Sequence, residues 1–139
     1  MQQQPLDQGF VEQLRRHLRG RLVLPAEAGF PGVARHWNAA ATTRPAGIAR
    51  CADAEDVMVA TRIAGDHGVR LTVRGGGHNV AGRAAADDSL MIDLSPLREV
   101  SVSAAQRTAS VQGGALWHDV DVATAKHGMA TTGGLVSST

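Results

Sequence analysis

Residues 47–82, "GIARCADAEDVMVATRIAGDHGVRLTVRGGGHNVAG", hold the pattern that decides the fold. "GIARC" (47–51) reads as a short strand. Asp53 then stands where a helix wants its N-cap, and Glu55 and Asp56 follow in the first turn, where acidic groups favour the helix dipole. "VMVATRIAGDH" continues the helix with Val57, Ala60 and Ala64 on one face, and Gly68 stops it. "VRLTV" (69–73) follows at once as a second strand. A strand, helix and strand joined this tightly predict a right-handed βαβ unit with parallel strands. The glycine run Gly75–Gly77 therefore leaves the carboxyl end of a parallel strand, where ligands tend to bind in α/β sheets.

On the N-terminal side, residues 6–19 read as a short amphipathic helix with Phe10, Val11, Leu14 and Leu18 at helical spacing and Gly20 as its stop. Residues 21–47 carry Pro25, Pro31 and Pro45 among several glycines, which predicts loop with at most short strands. On the C-terminal side, "SLMIDLS" (89–95) and "TASVQGG" (108–114) read as strands across a turn-rich join. "ALWHDVDVATAKHG" (115–128) reads as a helix with Leu116, Val120 and Ala123 on one face and Gly128 as its stop. "MATTGGLVSST" then ends in mid-pattern, which suggests a fragment. There is no fixed-period repeat and no low-complexity tract.

What chemistry suits "VRGGGHNVAG" (73–82)? A dinucleotide fingerprint would need glycine where Val80 stands, and a helix after the loop to receive the pyrophosphate, but "HNVAGRAAADDS" has no apolar periodicity. A P-loop would need Gly-Lys-Ser/Thr. What remains is a nest of unhindered N–H groups able to cradle an anion without a helix, with Arg74 as a nearby charge and Asn79 as a further donor. Phosphate or pyrophosphate is the natural guest. A plain tight turn is the alternative, although one glycine usually suffices for that.

The rest of the composition narrows the classes. At 139 residues, 43% apolar and 19% charged, the chain has the make-up of one small globular domain or part of a larger one. A net charge of +1 and an aromatic content of 3% argue against a nucleic-acid partner. No apolar run is long enough for a membrane span, and "MQQQPLDQGF" does not read as a signal peptide, so a cytoplasmic location is expected. The one cysteine, Cys51, cannot make an internal disulfide. His17, His36, His67, His118 and His127 show no pairing at helical spacing, so no metal is expected; His118, Asp119, Asp121 and His127 read as a solvated helix face.

With these residues in view, the chain resembles the FAD-linked oxidoreductases of the berberine bridge enzyme-like group, within the vanillyl-alcohol oxidase superfamily and its PCMH-type FAD-binding domain. "VRGGGHNVAG" is similar to the group's flavin-attachment motif, and the order of elements over 35–84 and 91–139 follows the same plan. The resemblance implies that backbone amides from Arg74 through Gly75, Gly76, Gly77 and His78 to Asn79 hold the FAD pyrophosphate, with Gly82 in the same motif. It implies a covalent bond from His78 to the 8α carbon of the isoalloxazine ring. Gly133, Gly134, Val136 and Ser137 match the group's second glycine-containing stretch, which runs along the flavin. Some members carry a cysteine where Val136 stands, so a single histidyl link is expected here.

The fold implied is α+β: a first lobe over about 1–86 with the βαβ unit, then the start of a second, mostly antiparallel lobe over about 87–139. The substrate domain of the group is absent from these residues, so no catalytic residue is assigned. The parent activity implied is oxidation of a small organic substrate by hydride transfer to FAD, with O2 as acceptor. Two other readings stay open: a non-catalytic chain that self-associates or complements a partner, and a plain nucleotide-binding module.

Overall fold

The computed structural model describes residues 5–35 and 37–139. His36 and the first four residues, named above, lie outside them. Four helices and six strands follow in the order α1 (Gln8–His17), β1 (Arg21–Val23), α2 (Phe30–Ala34), β2 (Gly47–Arg50), α3 (Ala54–Asp66), β3 (Leu71–Arg74), β4 (Leu90–Asp93), β5 (Val100–Ser103), β6 (Thr108–Val111) and α4 (Trp117–Ala125). The expected α+β class is present.

Local signals set the helix ends. The Asp7 carboxylate accepts from Phe10 N at 3.1 Å and starts α1, which turns Phe10 and Leu14 into the core. Asp53 does the same for α3, accepting from Asp56 N at 2.9 Å. Asp56 itself is buried and its carboxylate gathers the N–H groups of Arg19, Gly20 and Ala52, each at 2.8 Å. That one side chain ties the exit of α1 to the β2–α3 junction. Helix α1 ends three residues before Gly20, whose bare Cα serves another need: a Cβ there would lie 2.0 Å from the Arg50 carbonyl.

The sheet has strand order β1-β2-β4-β3. β1 runs antiparallel to β2, whereas β2, β4 and β3 are mutually parallel. The βαβ expectation therefore holds in direction, but β4 lies between the two strands that α3 connects. Residues 90–93 thus belong to the same sheet as the βαβ unit. "LMID" is buried at all four positions because it is a central strand covered on both faces, and such strands read as continuous apolar runs rather than alternating ones.

Alternation instead divides its side chains between two cores. Leu90 and Ile92 pack with Phe10, Leu14, Ala60 and Ile63 under α1 and α3. Met91 packs with Ile48, Phe30 and Ala85 on the opposite face. Burying each of the Leu, Ile, Met and Phe side chains contributes about 1.5–3 kcal/mol.

The second sheet is the antiparallel hairpin β5–β6, closed through a turn in which Arg107 takes φ 53°. β1 falls where the sequence allowed short strands, whereas α2 and β5, 5 and 4 residues long, escaped the reading. Among the described residues, no helix is long and apolar enough to cross a membrane.

Candidate functional site

The three parallel strands end in register on Arg50, Asp93 and Arg74. Asp93 is fully buried and accepts from Arg50 Nε at 3.2 Å, Ser95 N at 3.1 Å and Ser95 Oγ at 3.0 Å. Arg74 Nε faces it at 3.4 Å, in ion-pair range but without hydrogen-bond geometry, and is the buried side-chain donor left unbonded among the described residues. The Arg74 guanidinium also donates to the carbonyls of Val33 and Arg35. Its charge is therefore compensated inside the fold. The sequence placed that charge at the loop; the structure turns it toward Asp93 and leaves the loop only the Arg74 backbone.

Directly after Arg74 the chain enters the glycine run. A Cβ on Gly75 would lie 2.5 Å from the Gly113 carbonyl, so the loop after β6 borders the loop after β3. Gly77 takes φ 73° and Gly82 φ 66°, left-handed backbone that side-chain-bearing residues adopt at a cost. Among the described residues, no hydrogen bond occupies the backbone N–H groups of Gly75, Gly76, Gly77, His78 or Asn79. A run of unused donors is what a bound anion needs. The Asn79 side chain is committed elsewhere, since its Oδ1 accepts from Arg83 N at 3.1 Å.

A cavity of about 310 Å³ opens here, lined by Val73, Gly75, Gly77, His78, Asn79, Arg83 and Ala84. His78 is half-buried at its edge, and the Trp37 ring lies over it with centroids 5.7 Å apart and planes at 31°. Trp37 N donates to Gly77 O at 3.3 Å, and Asn38 Nδ2 to Val80 O at 2.7 Å. The segment from Trp37 to Ala41 thus braces the loop; a Cβ on Gly82 would lie 2.6 Å from Ala41 Cβ. Trp37, Asn38 and Arg83 were not singled out from sequence. Gly113 had a signal, the Gly-Gly pair at 113–114, but no partner could be assigned to it.

The second glycine stretch packs on α4. A Cβ on Gly133 would lie 2.3 Å from the Trp117 ring, and one on Gly134 2.4 Å from Trp117 Nε1. The carbonyls of Ser137 and Thr139 accept from His118 N at 2.9 Å and Trp117 N at 2.8 Å, satisfying first-turn donors of α4. Val136 is 53% exposed. Asp119 is not merely solvated. It takes a bidentate pair from Arg98 at 2.8 and 2.7 Å and accepts from Leu116 N at 2.8 Å, and these hold its carboxyl below the usual range.

A larger groove of about 630 Å³ lies between β6 and α4, lined among others by Ala109, Val111, Val120 and Met129. The smaller cavity is the one that joins free backbone donors to an imidazole at its edge. Cys51 is no nucleophile, because burial, with Asp56 and Asp93 nearby, pushes its thiol up to about 12.

Comparison with known proteins agrees with this geometry. The family model described as "FAD binding domain" matches residues 45–138. The chain is 34% identical over 118 residues to (R)-6-hydroxynicotine oxidase of Paenarthrobacter nicotinovorans, covering 85% of this chain and 26% of that protein. The crystal structure of 6-hydroxy-D-nicotine oxidase from Arthrobacter nicotinovorans superposes with a TM-score of 0.82 at 33% identity, covering 87% of this chain and 27% of that one. A berberine bridge enzyme-like protein of Physcomitrella patens shares the fold with a TM-score of 0.76 at 22% identity, over 82% of this chain and 25% of that one. The fold is that of the PCMH-type FAD-binding domain. The chain spans about a quarter of the length of these relatives.

Proposed function

The chain belongs to the FAD binding domain family, and from that premise we propose that it forms the cofactor-holding part of an oxidoreductase that oxidises a small organic substrate. The observation that carries this reading is the run of unused backbone donors from Gly75 to Asn79 beside an accessible imidazole. A diphosphate fits it: donors are available, no Cβ obstructs the approach at Gly75–Gly77, and the cavity is of suitable size. Gly82, Gly133, Gly134, Val136 and Ser137 complete the proposed contact set. When bound, FAD would supply the redox chemistry, taking a hydride from substrate and passing electrons to O2.

The chain's own part is binding and attachment. The amides of Arg74 to Asn79 hold the phosphates. Trp37 fixes the plane of the His78 ring from one side. Neutral His78 presents a ring nitrogen for a single covalent link to the 8α carbon. Bound FAD would supply the two-electron chemistry such a link requires, with O2 as oxidant, and His78 would give up its N–H proton as the link formed. We retain the cytoplasm as the compartment, consistent with an unpaired, buried thiol.

The test is direct. The chain is produced with FAD, denatured in acid and examined for flavin fluorescence on the protein band. Fluorescence that stays with the wild-type band and is lost in His78→Ala supports the histidyl link. A yellow native protein that releases all its flavin in acid sinks the covalent claim alone.

A second reading rests on β6, which is exposed along its whole length beside the larger groove. Such an edge is a template for strand pairing, and the chain would then self-associate or complement a partner without a complete flavin site. Colourless protein that forms concentration-dependent oligomers favours this reading.

A further inference from the structure

The proposed flavin site needs a cation that Arg74 does not provide, since Asp93 and two backbone carbonyls absorb its guanidinium. We propose that Arg83 is the side chain that recognises the phosphate-bearing part of the ligand and so sets a preference for FAD over riboflavin. The inference rests on the flavin reading above and assigns a specificity determinant within that site.

Arg83 lines the same cavity as Gly75, Gly77 and His78. Among the described residues its guanidinium has no ion pair or hydrogen bond, in contrast to Arg19, Arg21, Arg50, Arg74 and Arg98, each paired with a carboxylate. Its backbone is anchored, because Arg83 N donates to Asn79 Oδ1 and Gly82 N donates to Asn79 O at 3.0 Å. The turn that exposes the loop amides therefore also sets the root of the arginine. Val73 and Ala84 supply apolar wall but no charge. A planar guanidinium beside free amides matches a diphosphate, which takes paired N–H donors and a fixed positive charge together. Riboflavin lacks phosphate and gives Arg83 nothing to pair with.

The experiment uses His78→Ala as background, which keeps binding reversible, and adds Arg83→Gln or Arg83→Lys. FAD and riboflavin are titrated by flavin fluorescence at low and high NaCl, with thermal unfolding as the check on folding. Arg83→Gln should weaken FAD about tenfold, the scale of one charge-assisted contact, and flatten its salt dependence. Riboflavin affinity should not change, and Arg83→Lys should restore most of the loss for FAD. FAD bound equally well by Arg83→Gln, or FAD and riboflavin weakened alike, overturns the inference and leaves the flavin reading standing. A background protein that binds neither ligand, alongside a colourless wild type, overturns both.

Discussion

Asp93 carries more of the site than its distance from the loop suggests. It is fully buried, and it balances Arg50 on one neighbouring strand and Arg74 on the other. Arg74 in turn holds Val33 and Arg35, just before the Trp37 that lies over His78. Removing one partner of a buried pair leaves a charge uncompensated. Asp93→Ala should therefore cost about 3–5 kcal/mol, read from urea unfolding. A loss well under 1 kcal/mol would show that solvent already reaches Arg74. At this scale the sequence was legible in type but not in partner. "RGGGHN" announces a bare anion-binding backbone and a histidine, yet nothing in those letters says that Arg74 turns inward while Arg83 stays free.

At the scale of elements, the capping carboxylates make the fold sensitive to acid. Asp53 is held below its usual range by the Asp56 N–H and then by Arg19. Glu27 is lowered by Arg21 and by the Leu24 N–H, and Asp119 by Arg98 and by the Leu116 N–H. Each depressed carboxyl binds its proton more readily in the unfolded chain. The stability it contributes is thus present above the unfolded carboxyl range, near pH 4, and is lost as pH falls through the lower folded values. The thermal midpoint should change little between pH 7 and 5 and then drop between about 4 and 2.5. A midpoint flat to pH 2.5 would show that these groups titrate alike in both states. Helices α1, α3 and α4 were legible because caps and apolar spacing lie within one or two turns. β5 was not, because "VSVS" reads as polar until its pairing with Thr108–Val111 is known.

On the scale of the whole molecule, two surfaces differ in their finish. The four-stranded sheet is covered on both faces by its two cores, whereas the β5–β6 hairpin packs against α4 and leaves β6 bare. Val111 is 45% exposed and faces the larger groove. If the chain associates, this is where it should do so. Val111→Lys should then shift sedimentation toward monomer, with its thermal midpoint little changed, because charge on an exposed edge opposes strand pairing. Unaltered oligomers in that variant would move the contact elsewhere.

The sequence by itself determined the local chemistry: the helix caps, the strand before the glycine run, the bare backbone with a histidine at its edge, and through them the family. Those signals reside in neighbouring residues, where propensity and hydrogen-bonding reach act directly. Tertiary structure alone decided that β4 enters between β2 and β3, that Asp93 neutralises Arg74, and that Trp37 meets His78 across some forty residues of chain. Strand order and buried charge pairing depend on which distant segments bury apolar area together, and no short window of residues contains both partners.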